Sequence, residues 1–311
     1  MTNWQPRASL QIIRERARVY RQIRAFFNNR GYMEVDTPLL MPTTGTDVNV
    51  ASIGVEHQGR MHYLQTSPEY AMKRLLAAGS GSIFQICHAF RQGEAGRLHS
   101  PEFTMLEWYR LGYGYGQLMD EIELLITTLS LHRCTFGRRS YRSLFRDSLE
   151  LDIDSAPLDE LRAVCAREVA GVDSSNLDAD QCLDLLLAAV IAPTLEGYQF
   201  VYDYPLSQAS LARISSADAG VAERFELFYN GIELANGFSE LTDALQQRQR
   251  FEQDNELRRG RGLPAHEIDE RLLGALESGI EECAGVALGL DRLLMVLLEV
   301  DSIDEVLTFC D

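Results

Sequence analysis

Residues 88–109, HAFRQGEAGRLHSPEFTMLEWY, combine the side-chain types that a nucleotide and an amine would require. Their pattern predicts two strands joined by a polar loop that carries Arg97 and His99. Strand side chains alternate between the faces of a sheet, so Phe103 and Glu107 are expected on one face. A carboxylate on an apolar, aromatic face is costly unless a cation meets it. Such a hairpin would suit a nucleotide that lies beside an amine.

The segment 222–241, AERFELFYNGIELANGFSEL, places two carboxylates where they could share a cation. Asn230-Gly231 between two β-rich runs predicts a hairpin with a two-residue turn. In that register Glu226 pairs with Ala235, and Glu226 and Glu233 lie diagonally on one face. Oxygen ligands of this kind suit Mg²⁺ that bridges to a nucleotide phosphate. The spacing alone leaves open a simpler arrangement in which both carboxylates face solvent.

A third segment, AGVALGLDRLLMVLLE at 284–299, combines small residues with an arginine. The small residues permit close approach of a ligand or of a neighbouring element. Arg292 follows near the start of an apolar helix, where the helix N-terminus and the guanidinium can act together on an anion. An arginine at such a place is also typical of a surface ion pair, so this segment alone decides nothing.

The elements that must position these residues are helices and strands without regular alternation. The pattern predicts a helix over 9–30, a second from 67 to 78, strands at about 82–91 and 102–113, and a helix over 117–132. Two further helices are expected within 158–192, and a strand over 197–204. This irregular order favours an α+β fold, in which a mainly antiparallel β-sheet is flanked by helices.

Three segments of the chain resemble the signature motifs of class II aminoacyl-tRNA synthetases. They are FFNNRGYMEVDTPLL, which forms the dimer interface in that family, FRQGEAGRLHSPEFTMLEWY, and GVALGLDRLL with its arginine. TSPE at 66–69, HSPEFTMLEWY and NGFSEL at 236–241 are similar to the lysyl branch. The resemblance extends over nearly the whole chain from about residue 9. It implies a class II synthetase-like catalytic domain and a homodimer.

One branch of this family lacks the tRNA-reading domain. Lysyl-tRNA synthetases carry an N-terminal OB-fold that reads the anticodon, whereas this sequence starts at the first motif. We therefore expect a single catalytic domain over 1–311, a flexible N-terminus at 1–8 and no anticodon-binding OB domain. Such a core resembles the elongation factor P–(R)-β-lysine ligase family. The resemblance implies ATP-dependent activation of (R)-β-lysine as the adenylate, and transfer to a lysine side chain of elongation factor P.

Two other functions remain open. A lysyl-type core could act on another acceptor, tRNA or a small amine, or the chain could be a catalytically inactive regulatory paralogue. The second motif keeps the inactive paralogue open, because the family usually has Phe-Arg-x-Glu, whereas Gly93 stands here in place of the glutamate. Either Glu94, one place later, compensates through a loop shift, or backbone groups take over its contact with ATP.

The resemblance assigns roles position by position. Arg91 and Arg292 are the expected catalytic residues, Arg91 at the α-phosphate and Arg292 beside adenine or at the γ-phosphate. ATP is expected to contact both arginines, and also Arg97, His99, Phe103, Glu233 and Asn236. The (R)-β-lysine pocket is expected to be formed by Glu69, Glu107, Tyr109, Asn236, Phe238, Glu240 and Ala287. Glu226 and Glu233 are expected to hold Mg²⁺.

Two details of this assignment need a structural explanation. Strict alternation puts Asn236, Phe238 and Glu240 on the opposite face from Glu233, and a β-bulge near Asn236-Gly237 would reconcile them. Ala287 stands where lysyl-tRNA synthetases usually have glycine. We expect its methyl group to reshape the pocket for the displaced amino group of β-lysine.

Composition limits the partners. The net charge of −17 argues against an extended nucleic-acid footprint, so tRNA is not expected as a partner. The sequence has no apolar run near the roughly 20 residues of a membrane helix and no signal-peptide pattern, and its six cysteines lack metal-like spacing. We expect a cytoplasmic protein with reduced thiols and no membrane partner.

The basic residues are distributed unusually. Only Lys73 is a lysine among the 29 basic residues, which genomic composition bias would explain. Two local arginine clusters could steer an acidic, tRNA-like partner or could form ordinary ion pairs. They comprise Arg133, Arg138, Arg139, Arg142 and Arg146, and Arg248, Arg250, Arg258, Arg259 and Arg261.

Overall fold

An eight-stranded sheet forms the centre of the protein, in a computed structural model that describes residues 4–310. In spatial order its strands are β1 (Met33–Glu34), β5 (Ile83–Phe90), β6 (Glu102–Leu111), β11 (Cys283–Gly289), β10 (Ile232–Ser239), β9 (Val221–Tyr229), β8 (Tyr198–Pro205) and β7 (Phe136–Ser140). Neighbouring strands are antiparallel except at the two edges, where β1 is parallel to β5 and β7 is parallel to β8. The predicted α+β fold with a mainly antiparallel sheet is therefore confirmed.

Helices surround this sheet, and a small second sheet lies beside it. The α-helices of the described residues are α1 (Leu10–Asn28), α2 (Glu69–Ala77), α3 (Tyr115–Leu129), α4 (Tyr141–Leu149), α5 (Leu158–Glu168), α6 (Ala179–Leu186), α7 (Ala244–Gly260), α8 (Glu270–Ser278) and α9 (Leu290–Leu298). The second sheet consists of β2 (Leu40–Met41), β3 (Gly54–His57) and β4 (Arg60–Leu64). None of the helices in residues 4–310 is long and apolar enough to cross a membrane.

Local sequence signals define both ends of helix α1. The Ser9 hydroxyl accepts a hydrogen bond from the Ile12 amide at 3.2 Å, as an N-cap residue does. Gly31, at φ +76°, occupies the left-handed region two residues after the C-cap. Of the N-terminal segment 1–8, residues 1–3 lie outside the described residues. Arg7 donates its amide to Thr308 O at 2.8 Å and Ala8 is buried, so that this end of the segment is anchored.

One face of the sheet forms the main hydrophobic core. Helices α1, α3 and α9 pack there around Trp108, whose side chain is fully buried. Phe27 stacks on Phe84 with ring centroids 4.6 Å apart. Leu106 and Trp108 of β6 belong to this core, whereas Glu107 and Tyr109 do not. The alternation that the sequence predicts therefore holds in β6, and it leaves the carboxylate for the opposite face.

The hairpin of β9 and β10 has the predicted turn but a different register beyond it. Asn230 and Gly231 have φ values of 45° and 81°, as a two-residue turn of this type requires. Past Glu233 the register shifts, because one extra residue is accommodated before Ala235. Glu226 consequently pairs with Asn236, and the predicted pairing of Glu226 with Ala235 is wrong. The bulge also lies earlier than the position expected near Asn236-Gly237.

Candidate active site

A cavity of about 560 Å³ lies over the second face of the sheet. Its floor is formed by β6, β11, β10 and β9, and its walls by the start of α2, the loop 43–50 and helix α7. The volume is within the range of pockets that bind small molecules and nucleotides. The same face carries the polar side chains that β6 and β10 direct away from the hydrophobic core.

Strand register brings distant parts of the sequence together on the cavity floor. One cross-strand row runs through Gln85, Glu107, Ala287, Asn236 and Glu226. The adjacent row runs through Ile83, Tyr109, Gly285, Phe238 and Arg224. Because the bulge in β10 resets the alternation, Glu233, Asn236 and Phe238 all line the cavity. Strict alternation would place Asn236 and Phe238 on the opposite face from Glu233, and the bulge explains why they share one face instead.

One end of the cavity is acidic and buried. Glu107 is 1% exposed and accepts hydrogen bonds from Ser67 and from the Tyr109 hydroxyl, each at 2.7 Å. Burial, reinforced by the charge of Glu69, raises the pKa of Glu107 to about 8. Burial likewise raises the pKa of Glu240, which is 3% exposed. This end of the cavity would be stabilised by a cation.

Lys73 forms ion pairs with two of these carboxylates and neutralises part of their charge. The Nζ atom of Lys73 lies 2.7 Å from Glu69 Oε1 and 2.5 Å from Glu240 Oε2. Glu240 Oε1 has no hydrogen-bond partner among the described residues. That oxygen is buried beside Gly285, without a donor from residues 4–310 to compensate it.

Gly285 makes room at the same end. A Cβ atom at this position would overlap the ring of Tyr109 and the carboxylate of Glu240. The position thus requires a glycine for steric reasons, and any side chain there would displace two residues that line the cavity.

The other end of the cavity carries arginines. Arg292 donates Nε to Leu98 O at 3.1 Å and Nη1 to Glu233 O at 2.9 Å, which fixes the guanidinium plane. The guanidinium of Arg91 lies 5.2 Å from the centroid of the Phe103 ring. Burial, followed by the charge of Arg292, lowers the pKa of His99. Fixed guanidinium groups beside an aromatic ring suit a nucleotide with phosphates.

The loop that follows Arg91 explains the irregular second motif. Gly93 adopts φ +82°, and no atom lies near its Cα on the side where a Cβ would stand. The turn brings Glu94 to the cavity, with Oε1 3.5 Å from Arg91 Nη1. Glu94 thus lies near Arg91, although Gly93 occupies the usual position of the motif glutamate. This position agrees with the alternative in which Glu94 compensates through a loop shift.

Glu226 and Glu233 lie between the two ends. Glu226 accepts a hydrogen bond from Arg224 Nη2 at 2.6 Å. Burial raises the pKa of Glu226 to about 7, with Arg224 opposing the shift and Glu233 adding to it. Within residues 4–310 no group of three or more acidic, His or Cys side chains is arranged to hold a metal ion. The two carboxylates fit Mg²⁺ as hard oxygen ligands if phosphate oxygens complete the shell.

Comparison with known proteins identifies the family. Residues 3–311 match the family model described as tRNA synthetases class II (D, K and N). The chain belongs to this family. It is 48% identical over 318 residues to the elongation factor P–(R)-β-lysine ligase of Edwardsiella ictaluri (strain 93-146), a match that covers 99% of this chain and 98% of the relative. It is also 48% identical over 315 residues to the ligase of the same name from Salmonella gallinarum (strain 287/91 / NCTC 13346), with 98% of this chain and 97% of the relative covered.

Nearly all of the residues that the class II resemblance singled out meet in one cavity. The cavity is lined by Glu69, Arg91, His99, Phe103, Glu107, Tyr109, Glu226, Glu233, Asn236, Phe238, Glu240, Ala287 and Arg292. Arg97 is not among them. Its side chain is exposed and donates Nη1 to Asp301 O at 2.9 Å, so the structure does not bring it to the cavity.

Several residues of this class II site were missed in the sequence. Ser67 donates a hydrogen bond to Glu107, Lys73 forms an ion pair with Glu69, and Arg224 donates a hydrogen bond to Glu226. Lys73 could have been found, because it follows Glu69 by four residues on a predicted helix and is the only lysine. Gln247 of α7 also lines the cavity, and both polar atoms of its amide lack partners among the described residues. No pattern in the sequence pointed to it.

The two arginine clusters are largely held in ion pairs. Arg138 contacts Asp120 and Glu123, and Arg139 contacts Asp147. In the second cluster Arg248 pairs with Glu270, and further arginines there donate to backbone carbonyls. The ion-pair alternative therefore describes these arginines better than a free docking surface.

Proposed function

We propose that this protein activates (R)-β-lysine with ATP as an aminoacyl-adenylate and transfers it to a lysine side chain of elongation factor P. The relatives with this name align over almost the entire chain at 48% identity. Residues 1–311 would act as a single catalytic unit. A cytoplasmic location follows from the proposed acceptor, which is a translation factor.

The observation that carries the proposal is that one end of the cavity gathers buried carboxylates and the other gathers guanidinium groups. The acidic end, with Glu69, Glu107 and Glu240, suits the ammonium groups of β-lysine. The basic end, with Arg91 and Arg292, suits the triphosphate of ATP. A molecule that places its ammonium groups at one end directs its carboxylate towards the nucleotide at the other.

The first step is adenylate formation. A carboxylate oxygen of β-lysine attacks the α-phosphorus of ATP, and the bond to the bridging oxygen of the β-phosphate breaks to release pyrophosphate. Arg91 would contact the α-phosphate, where charge grows in the transition state. Phe103 would stack on adenine, and Arg292 would lie against the other face of the base or at the γ-phosphate. His99, Glu233 and Asn236 would complete the ATP site, and Arg97 stays a prediction that would require a different orientation of its side chain.

Glu226 and Glu233 would hold Mg²⁺, which neutralises phosphate charge when it is bound. Tyr109, Phe238 and Ala287 would shape the β-lysine pocket, together with the three carboxylates. In the second step the neutral amine of the acceptor lysine attacks the carbonyl carbon of the adenylate. The carbonyl–oxygen bond to AMP breaks, and the amine loses one proton as the amide forms.

We also propose that the protein forms a homodimer through its first motif. Three large apolar residues of this motif are exposed: Met33 in the edge strand of the central sheet, and Leu39 and Leu40 at the start of the small second sheet. A partner subunit would remove them from water. Sedimentation analysis should give about twice the mass of one chain, and replacement of Leu39 by glutamate should lower that mass.

The proposed function is tested by following both half-reactions. Purified enzyme should catalyse ATP–pyrophosphate exchange that depends on (R)-β-lysine, and mass analysis should find one added β-lysyl group on elongation factor P. The E107Q variant should lose exchange, whereas E102Q should retain it, because Glu102 lies on the same strand with an exposed side chain outside the cavity. If label appears on tRNA but not on elongation factor P, tRNA is the acceptor. Absence of exchange with any amino acid would favour an inactive paralogue.

A further inference from the structure

Lys73 is the most unusual cation of the protein. It is the only lysine of the chain, and it is 1% exposed. Its ammonium group lies between Glu69 and Glu240, at 2.7 and 2.5 Å, and 5.5 Å from the centroid of the Phe238 ring. Lys73 does not itself line the cavity, whereas both of its carboxylate partners do. Any effect of Lys73 on a ligand must therefore act through these two partners.

The charges around Lys73 can be counted. The titratable groups that face it are Glu69 of α2, Glu107 and Tyr109 of β6, Glu240 after β10, and Cys283 of β11. Tyr109 and Cys283 are neutral near pH 7, because burial raises the pKa of each. When all three carboxylates are ionised, as they must be to bind ammonium groups, they and the ammonium group of Lys73 sum to a net charge of −2 at this end of the cavity, and without a bound ligand protons compensate part of it.

A buried net charge is unfavourable unless a ligand or a proton compensates it. (R)-β-lysine carries two ammonium groups, which would neutralise a charge of −2. Without Lys73 the same carboxylates would sum to −3, and one of them would take up a proton before a dication could be bound. Lysine suits this role because its compact ammonium group fits between two carboxylates.

We propose that Lys73 is a positioning residue that sets the charge of the amine pocket at −2, so that the pocket matches a substrate with two ammonium groups. This inference rests on the proposed function, since β-lysine supplies the two charges. By contacting Glu69 and Glu240, Lys73 also fixes one oxygen of each carboxylate.

A purely structural ion pair would have different consequences. If Lys73 only fastened α2 to the sheet, its loss would weaken the binding of ATP and of β-lysine alike, and equally at every pH. If Lys73 sets the charge, its loss acts on β-lysine alone and depends on pH. An opposite charge within about 4–6 Å shifts a carboxyl pKa by roughly 1–3 units.

The test compares K73M, E240Q and the K73M/E240Q double variant with the wild type and with R74M. Arg74 follows Lys73 on the same helix and does not line the cavity, so R74M controls for the loss of a cation from α2. KM for (R)-β-lysine and KM for ATP are measured by pyrophosphate exchange from pH 6 to 9. This readout requires no acceptor protein.

The expected results form a charge series. K73M should move the pH midpoint of the β-lysine KM upward by at least about one unit, and its KM at pH 7 should rise about tenfold or more. E240Q alone should move the midpoint downward, and the double variant, which restores −2, should return it towards the wild-type value. KM for ATP should change less than about twofold, and R74M should behave as the wild type.

The role of Lys73 would be overturned if K73M and E240Q left the pH midpoint of the β-lysine KM unshifted. It would also be overturned if K73M raised KM for ATP and KM for β-lysine equally at all pH values. If K73M fails to fold, E240Q and the double variant decide the question, because the double variant removes Lys73 together with one of its two carboxylate partners. If the wild type shows no exchange with β-lysine, the proposed function fails separately. Calorimetry with 1,4-diaminobutane, which has the amine spacing of β-lysine, and with butylamine then tests Lys73 on the same proteins. Equal binding of the diamine and the monoamine by the wild type refutes its role.

Discussion

The affinity for β-lysine should depend steeply on pH, because Glu107 must lose a proton when it meets an ammonium group. The carboxyl is completely buried in the sheet, and its pKa of about 8 follows mainly from desolvation, with Glu69 adding to it. At pH 7 a group with this pKa is about nine-tenths protonated. Ionising it should therefore cost about 1.4 kcal/mol, or roughly tenfold in affinity.

The sign of the effect is fixed by linkage. The pKa of Glu107 is about 4.5 in the unfolded chain and about 8 in the folded protein, so the folded state binds the extra proton between these values. The stability contributed by this group is complete below about pH 4.5 and is lost as the pH rises through about 8. Bound β-lysine favours the ionised carboxylate, so its affinity should rise with pH up to about 8, by up to about tenfold per unit.

Two assays check this prediction. KM for β-lysine in pyrophosphate exchange should fall at least about tenfold between pH 6 and 8. Calorimetry at pH 7, in two buffers of different ionisation enthalpy, should show about one more proton released by the wild type than by E107Q. E102Q on the same strand should retain the wild-type profile. A KM that is constant from pH 6 to 8, with no proton released, would refute the assignment of Glu107 as an ammonium ligand.

Three further variants and one labelling assay probe the cavity. A287G should shift the preference between α-lysine and β-lysine in pyrophosphate exchange, because Ala287 lies beside Glu107 in the cross-strand row. An unchanged preference would contradict a role of the Ala287 methyl group in shaping the pocket. G285A should lower amino-acid activation by about 100-fold or more while ATP binding by calorimetry persists, whereas G274A in open space should have no such effect. F103L should raise KM for ATP by about tenfold through lost stacking without changing KM for β-lysine, and equal changes in both would argue against adenine at Phe103. After incubation with ATP and β-lysine, mass spectrometry should find no β-lysyl group on Lys73 of the enzyme. This amine is buried and its pKa is raised, so it stays protonated. A β-lysyl group on Lys73 would show that the region of helix α2 opens.

The parts of the fold that local sequence encodes could be predicted. Period-two alternation in β6 placed Glu107 opposite the core residue Trp108, and the turn residues Asn230-Gly231 fixed the β9–β10 hairpin. The Ser9 cap marked the start of α1. The motifs could also be placed in one site, because their residue types and order resembled those of class II synthetases.

Features that depend on tertiary packing could not be predicted. The bulge in β10 lies before Ala235 rather than near Asn236, and its position is decided by how β10 packs between β9 and β11. Arg97 turns to the carbonyl of Asp301, a partner about 200 positions later in the chain. The contact of Lys73 with Glu240 could not be predicted either, because Glu240 follows β10 and reaches Lys73 only when β10, β11, β6 and β5 lie side by side in the sheet.

The spacing of the sheet itself explains why amine and nucleotide can be joined in this cavity. Glu107 and Glu226 belong to one cross-strand row and are separated by Ala287 and Asn236, which makes three strand steps. At about 4.8 Å for each step, the backbone positions of the two residues lie about 14 Å apart along the row. That distance accommodates an extended β-lysine whose ammonium groups lie at the acidic end and whose carboxylate reaches the α-phosphate. Both substrates would then lie close together on one rigid sheet, so that a covalent enzyme intermediate is unnecessary.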